Sequence, residues 1–194
     1  MKLRRKISNR LGGHYSDLRD RFILSHDFHA EKVLDIGCDN GRVIRKLSDE
    51  IDEAYGFDFD CTEPDDDNIY FEEADATEKF PYEEDKFDSI ICREVLEHVT
   101  DPYNLLKESR RVLKPEGRIL ITTPNIDNLV YRIKGAEPAD GHIFELKKTQ
   151  LQHLVQQFYE VEKHELGPFP FNYVQFLKAF PKTQNLEPAL KNNR

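Results

Sequence analysis

The chain has 194 residues, 38% of them hydrophobic, which is long enough to bury one sizeable core and too short to argue for two. Its formal net charge of −9 weighs against a broad phosphate-binding surface, because nucleic-acid affinity depends on lysine and arginine neutralising phosphates. The composition therefore disfavours a nucleic-acid partner.

The three cysteines are odd in number and have no C-x-x-C spacing, so they predict neither a disulfide framework nor a zinc site. No apolar run approaches the roughly 20 residues that a transmembrane helix needs, and the N-terminus has no apolar signal-peptide region. We therefore expect a cytoplasmic protein without a transmembrane segment, either a monomer or a homodimer.

Five short apolar runs alternate with helical patterns along the chain. The runs are VLDI (33–36), AYGF (54–57), IYF (69–71), FDSIIC (87–92) and RILIT (118–122). Near-continuous apolar runs are typical of strands buried on both faces of a parallel sheet. The sequence therefore predicts an α/β fold with a Rossmann-like, doubly wound, mostly parallel sheet and helices on both faces.

The segments between the runs carry helix signals. Helical spacing recurs at Val43, Ile44, Leu47 and Ile51, and Asp101-Pro102 supplies an N-cap followed by proline at the first helical position. Lys114-Pro115-Glu116-Gly117 is interpreted as a turn that ends this second helix before the fifth strand. Two further helices are predicted at 127–133 and around 151–158, and a weak strand at 159–166.

Gly37 and Gly41 frame a turn directly after the first predicted strand, in VLDIGCDNG. Their spacing is not the Gly-x-Gly-x-x-Gly that packs a pyrophosphate against a helix. In an open parallel sheet, ligands bind beyond the carboxyl ends of the strands. The turn therefore either borders a ligand or is only a tight connection that uses glycine for its backbone conformation.

Two acidic residues follow the next two strands. Asp58 ends the second strand, 21 residues after Gly37, where a carboxylate can accept hydrogen bonds from both hydroxyls of an adenosine ribose. Asp75 follows the third strand, where it could accept a hydrogen bond from the adenine amine. Either residue could instead cap a local turn. Together they outline an adenosine site, and the chain has no G-x-x-x-x-G-K-[ST] for a triphosphate.

Five blocks in this order, VLDIGCDNG, YGFDF, EADAT, FDSIICREVLEHV and LKPEGRILITTPN, resemble the class I S-adenosylmethionine-dependent methyltransferases. The chain is most similar to the small-molecule branch, which includes the ubiquinone-type O-methyltransferases, and the resemblance covers residues 15 to about 166. It implies an enzyme that uses S-adenosyl-L-methionine as cofactor and methylates a small-molecule acceptor. We predict strand order 3-2-1-4-5 with further edge strands.

The resemblance also implies which residues bind the cofactor. The methionine part of the cofactor would be lined by Asp35, Gly37, Cys38 and Gly41. The ribose and the adenine edge would contact Asp58 and Phe59, and the adenine amine would contact Asp75 and Ala76. Asp39 replaces the family's middle glycine, and its charge and bulk could weaken binding, although aspartate tolerates left-handed backbone better than most residues.

Four further residues are assigned by resemblance. The backbone of Arg93 would meet the ligand amine, and Arg19 would grip the cofactor carboxylate unless it is only a solvated helix charge. His14 and Tyr15 would close over the cofactor from the N-terminal helix.

Methyl transfer needs an acceptor held in line with the sulfonium, and a base only where the acceptor must lose a proton. His142 is the candidate base; its alternative is a loop histidine bonded to backbone. Glu94, Glu97 and His98 share one face of a predicted helix start, where they could orient substrate or hold a hard cation. We favour packing and capping for this trio, so no metal is predicted, and we keep Glu94 as a second catalytic candidate.

The segment after strand five reads ITTPN, which lacks the [DNS]-P-P-[YF] of amino-methyltransferases, and no Pro-Cys pair suits attack on pyrimidine carbon. Oxygen on a small acceptor is therefore preferred over nitrogen or carbon. Two alternatives are a non-catalytic adenosylmethionine-binding regulatory protein and an RNA-modifying enzyme.

We predict a single domain with three parts: an N-terminal helical cap (1–30), a cofactor-binding core (31–166) and an aromatic C-terminal segment (167–194). The helical spacing of Tyr173, Val174, Leu177 and Phe180 predicts that a seventh strand is absent. The aromatic residues of this segment would pack in the core, wall an acceptor pocket or form a dimer contact; they are Phe169, Phe171, Tyr173, Phe176 and Phe180.

Overall fold

The computed structural model describes residues 18–28, 31–61, 64, 66–128, 141–143, 145–167 and 174–182. Several residues singled out from the sequence lie outside these ranges. They are His14, Tyr15, Phe169, Phe171, Tyr173 and most of the helix predicted at 127–133.

A seven-stranded sheet runs through the molecule in the order β3-β2-β1-β4-β5-β7-β6. The strands are β1 (Lys32–Ile36), β2 (Glu53–Asp58), β3 (Ile69–Glu73), β4 (Phe87–Arg93), β5 (Leu113–Pro124), β6 (Tyr159–Gly167) and β7 (Val174–Pro181). Strands β1 to β5 pair in parallel, whereas β7 lies antiparallel between β5 and β6. The predicted fold class and the order of the first five strands are confirmed.

Four helices flank the sheet in the described ranges: α1 (18–24), α2 (Arg42–Arg45), α3 (Pro102–Val112) and α4 (Lys148–Val155). Asp101 caps α3 as predicted, because its side chain accepts a hydrogen bond of 2.9 Å from the Asn104 amide. Helix α2 is only one turn long, although its predicted apolar stripe is buried. No helix in these ranges is long and apolar enough to cross a bilayer.

The central strands of the sheet are buried on both faces, which explains their continuous apolar runs. In β4, Ile90 and Cys92 join the core on one face and Ile91 joins the core on the other. In β5, Ile119 and Leu120 divide in the same way. Because successive side chains of a strand point to opposite faces, a strand covered on both sides needs apolar residues at every position.

The prediction that a seventh strand is absent was wrong. Leu177, Ala179 and Pro181 are buried while Lys178 and Phe180 between them are half-buried, which is the period of two of a strand. Strand β7 pairs with β5 on one side and β6 on the other. These partners are distant in sequence, so local spacing could not reveal them, and the strand pairing overrides the weak helical pattern.

The predicted turn at 114–117 is instead part of β5, which begins at Leu113 directly after α3. The pairing register with β4 shifts here, so that Phe87 faces Leu113 and Ser89 faces Arg118. Gly117 lies at this irregularity, where an added Cβ would be 2.8 Å from the Asp88 carbonyl oxygen. The segment therefore forms a bulge, the usual use of glycine inside a strand.

Candidate active site

A cavity with two adjoining lobes opens beyond the carboxyl ends of β1, β2 and β4. The first lobe, about 310 Å³, is lined by residues that include Asp58, Phe59, Asp75 and Ala76. The second, about 330 Å³, is lined by residues that include Asp39, Arg93 and Glu94. Gly37, Asp58, Val95 and His98 border both lobes. This is where an open parallel sheet binds its ligand.

The structure brings most, but not all, of the predicted site residues to this cavity. Gly37, Asp58, Phe59, Asp75, Ala76, Arg93 and Glu94 line it. The residues that line neither lobe are Arg19, Asp35, Cys38, Gly41 and His142.

The glycine turn is held against the end of β2. The amides of Gly37 and Cys38 donate to the Phe57 carbonyl oxygen at 2.9 and 3.1 Å. Gly37 and Asp39 both have positive φ, 67° and 49°. An added Cβ on Gly37 would lie 2.4 Å from Val95 Cγ2. Asp39 thus adopts the left-handed backbone predicted to be tolerable for aspartate. Glycine is required at position 37 for two reasons: its φ is positive, and no space is left there for a Cβ.

Both carboxylates of the first lobe also bind local backbone. Asp58 accepts hydrogen bonds from the Asp39 amide at 2.9 Å and from the Phe59 amide at 2.7 Å. Asp75 accepts from the amide and the hydroxyl of Thr77, both at 2.7 Å and both on Oδ1. The local capping considered from sequence is therefore present at each position. It does not conflict with a ligand role, because a carboxylate has about four acceptor sites.

Asp35 is buried in β1 behind the glycine turn, at 3% exposure. Burial raises the pKa of its carboxyl from 3.8 to about 7, against the opposing charge of Arg93 and together with the like charge of Asp58. Burial also raises the pKa of the Cys38 thiol, which weighs against a thiolate at this turn.

The Asp35 carboxyl predicts a pH dependence of stability. The pKa of this carboxyl is higher in the folded chain than in the unfolded chain. Its contribution to the free energy of unfolding is therefore fully present below pH 3.8 and is lost as the pH rises to about 7. We expect the stability of Asp35→Asn relative to wild type to rise by up to about 4 kcal/mol between pH 4 and 7. Urea denaturation across this range measures it, with Asp60→Asn as an exposed control. A difference that does not change with pH would contradict it.

Arg19 and Glu94 form an ion pair of 2.5 Å between α1 and the end of β4, with side chains only 19% and 18% exposed. The alternative of a solvated helix charge for Arg19 is therefore wrong. Arg19 Nε and Glu94 Oε1 are buried and have no hydrogen-bond partner among the described residues. Burial raises the pKa of Glu94, and the Arg19 charge opposes this rise.

We expect Glu94→Gln to lower the free energy of unfolding by about 2–4 kcal/mol, because it leaves the Arg19 charge buried and unpaired. The double variant Arg19→Met/Glu94→Gln should recover most of this loss. Urea denaturation of wild type, Arg19→Met, Glu94→Gln and the double variant completes the cycle. Glu165→Gln is the matched control, since its pair with Lys163 is about half exposed and should contribute less than about 1 kcal/mol. A loss in the double variant equal to the sum of the losses in the two single variants would refute the coupling.

Glu94, Glu97 and His98, predicted on one helix face, do not share a helix, because residues 96–98 form a turn. Each of the three side chains has a different partner. Glu94 pairs with Arg19, Glu97 accepts from the Thr123 hydroxyl at 2.8 Å, and His98 Nδ1 lies 2.9 Å from the Gly141 carbonyl oxygen. Glu97 is buried, which raises its pKa to about 8 together with the charge of Glu94.

His142 is bonded to a side chain and not to backbone. Its Nδ1 lies 2.6 Å from Oε1 of Glu145, whose side chain is fully buried. Its ring packs edge to face on His98, with centroids 4.8 Å apart. Because His98 lines both lobes, this contact places His142 directly beside the cavity.

Sequence reasoning missed several residues of the site. Val95 and Val99 line the first lobe, and the apolar positions of EVLEHV were the available signal. Glu145 was also missed, although it follows His142 at i+3. Its contact depends on the fold of a loop, which gives no periodic signal.

Comparisons with known proteins show the family to which the chain belongs. A family model described as a methyltransferase domain matches residues 5–159. The chain therefore belongs to this family. With its sheet order and cavity it falls among the class I S-adenosylmethionine-dependent methyltransferases, whose methyl donor is S-adenosylmethionine. The resemblance stated from the sequence motifs is confirmed at this level.

The chain is 33% identical over 137 residues to a ubiquinone biosynthesis O-methyltransferase of Actinobacillus pleuropneumoniae, covering 59% of this chain and 58% of that one. It is also 33% identical over 112 residues to a tRNA U34 carboxymethyltransferase of Campylobacter curvus, covering 50% and 36%. The chain thus spans less than two thirds of these curated relatives. The crystal structure of the PH0226 protein of Pyrococcus horikoshii superposes with a TM-score of 0.68 at 22% identity, covering 87% of this chain and 91% of that one.

Proposed function

We propose that the protein transfers a methyl group from S-adenosylmethionine to an oxygen atom of a small-molecule acceptor. The observation that carries this proposal is the convergence of the glycine turn, Asp58 and Asp75 on one cavity. These are the residues assigned by resemblance to the methionine, the ribose and the adenine. The second lobe continues from Gly37 to Arg93 and Glu94, where the methionine part and the methyl group would lie.

The acceptor would approach from the side of His98 and His142, the imidazoles beside the second lobe. His142 is the residue we assign to the acceptor hydroxyl. Its Nδ1 bond to Glu145 leaves Nε2 for that role. Glu94 is a less suitable catalytic residue than His142, because its carboxylate pairs with Arg19. Its role would be to hold Arg19 for the cofactor carboxylate.

A small molecule is favoured over RNA because the net charge is −9, which opposes the counterion release that drives nucleic-acid binding. The relative that modifies tRNA makes RNA the competing acceptor. We place the protein in the cytoplasm because Cys38, Cys61 and Cys92 are all free thiols.

The proposal is tested with methyl-labelled S-adenosylmethionine and a panel of phenols, enols, amines and unmodified tRNA, after mass spectrometry of small molecules that co-purify with the chain. Label in a hydroxyl acceptor supports the proposal, and Gly37→Ala should abolish it. Label only in tRNA would establish the RNA-modifying alternative. Tight binding of adenosylhomocysteine without transfer to any acceptor would support the regulatory alternative.

A further inference from the structure

Gln175 is a fully buried polar residue near the start of β7. Its Nε2 lies 3.0 Å from the Pro124 carbonyl oxygen and 2.7 Å from the Leu146 carbonyl oxygen. Its Oε1 lies 3.1 Å from Nε2 of His164 in β6. Carbonyl oxygens only accept hydrogen bonds, so the amide nitrogen must face them and the amide oxygen must face the imidazole. The side chain therefore joins β6, the end of β5 and the segment that follows His142.

The bond to Leu146 acts on the part of the chain that carries the candidate base. Leu146 directly follows Glu145, the buried carboxylate that orients His142 through its Nδ1. The backbone of Leu146 also pairs with Asn125 in an isolated bridge just beyond β5. Because Gln175 binds both the last carbonyl group of β5 and the carbonyl group of Leu146, it fixes where this segment meets the sheet.

The residue opposite Gln175 holds the same segment at a second point. Thr123 faces Gln175 in the pairing of β5 with β7, so the two side chains share one face of the sheet. The Thr123 hydroxyl donates to Glu97 at 2.8 Å, and the Glu97 carbonyl oxygen accepts from the Ile143 amide at 2.8 Å. The segment of His142 is thus held at two points, one reached from Thr123 and the other bound directly by Gln175.

We propose that Gln175 is a positioning residue for methyl transfer, which sets the Glu145 carboxylate and through it the ring of His142. Gln175 lines neither lobe of the cavity, so it acts on the acceptor only through these two residues. The consequence for catalysis rests on the proposed function, in which Nε2 of His142 meets the acceptor hydroxyl. A shift of about 1 Å in a positioned group can cost about a hundredfold in rate, even when its cause is remote from the chemistry.

Two variants of Gln175 test this role. Gln175→Met keeps a similar volume and removes all three hydrogen bonds. Gln175→Asn is the milder change, because it keeps the amide but is one methylene group shorter and should not reach both carbonyl oxygens. We expect both variants to release the Leu146 carbonyl group, with the larger effect in Gln175→Met.

Asn68→Leu is the matched control for a general loss of stability. The Asn68 amide also donates to two backbone carbonyl oxygens, those of Ser48 at 3.0 Å and Ile51 at 3.1 Å. It lines neither lobe, so its loss should destabilise the fold without moving His142.

The direct measurement is ¹⁵N NMR of the full chain with labelled histidine, in which His142→Gln identifies the signals of His142. Wild type should show the proton on Nδ1, the nitrogen that faces Glu145. Gln175→Met and Gln175→Asn should lose this signature or mix it with the other tautomer, whereas Asn68→Leu should keep it. Calorimetric titration of adenosylhomocysteine shows that each variant is folded, and its affinity should stay within about twofold of wild type.

Methyl transfer to a phenol acceptor should fall at least about tenfold in kcat in Gln175→Met and remain at the wild-type rate in Asn68→Leu. A wild-type NMR signature in both folded Gln175 variants would overturn the inference. Equal loss of the signature in Asn68→Leu would also overturn it, because the effect would then come from lost stability alone. Absence of transfer from wild type to any hydroxyl acceptor would refute the proposed function, and the NMR signature would still decide whether Gln175 positions His142.

Discussion

Replacing Gly37 with alanine is expected to lower the free energy of unfolding by about 2–5 kcal/mol, the sum of a left-handed backbone penalty and overpacking. The new Cβ would lie 2.4 Å from Val95 Cγ2 at a φ of +67°. The Val95 side chain borders both lobes of the cavity, so its displacement should also weaken adenosylhomocysteine binding at least about a hundredfold, equivalent to about 2.7 kcal/mol. Urea denaturation and calorimetric titration measure the two effects.

The steric and backbone parts can be separated. Gly37→Ala/Val95→Ala removes the side chain that the new Cβ meets and keeps the unfavourable φ, with Val95→Ala alone as the control. The double variant should recover about 1–3 kcal/mol relative to the sum of the single variants. Wild-type stability and affinity in Gly37→Ala would show that the turn does not need glycine and would remove it from the site.

Asp58→Ala is expected to weaken adenosylhomocysteine binding by about a hundredfold or more. Two charge-assisted hydrogen bonds to ribose hydroxyls, each worth about 1.5–3 kcal/mol in a protected site, account for this loss. The free protein should also be less stable, by about 1–2 kcal/mol, because the Asp39 and Phe59 amides lose their acceptor and must turn to water. Calorimetric titration and thermal melts of both proteins provide the data.

The thermal shift on saturation with ligand distinguishes a ribose contact from a purely local role of Asp58. A ribose contact predicts that the shift nearly disappears in Asp58→Ala, whereas a local role predicts a lower melting temperature with the shift preserved. Asp101→Ala is the control, because Asp101 also accepts a local backbone hydrogen bond and is not among the residues that line either lobe. Affinity that is unchanged in a folded Asp58→Ala would remove the ribose assignment and much of the case for how this cavity binds its cofactor.

The sequence by itself determined the parallel half of the sheet and the position of the ligand cavity. Strands β1, β2, β4 and β5 have buried residues on both faces, so each carries a near-continuous apolar run. Gly37 and Asp58 follow strands that are neighbours in the sheet, and parallel strands end at the same edge. Local sequence therefore sufficed to bring these residues together.

Only the tertiary structure decided β7 and the arrangement of charged groups around the second lobe. Strand β7 depends on hydrogen bonds to β5 and β6, partners that no local period encodes. Glu94 turns to Arg19 from an N-terminal helix, and His142 meets Glu97 and His98 across more than forty residues of chain. Such contacts form between side chains that are distant in sequence, and their geometry is fixed by the packing of the elements that carry them.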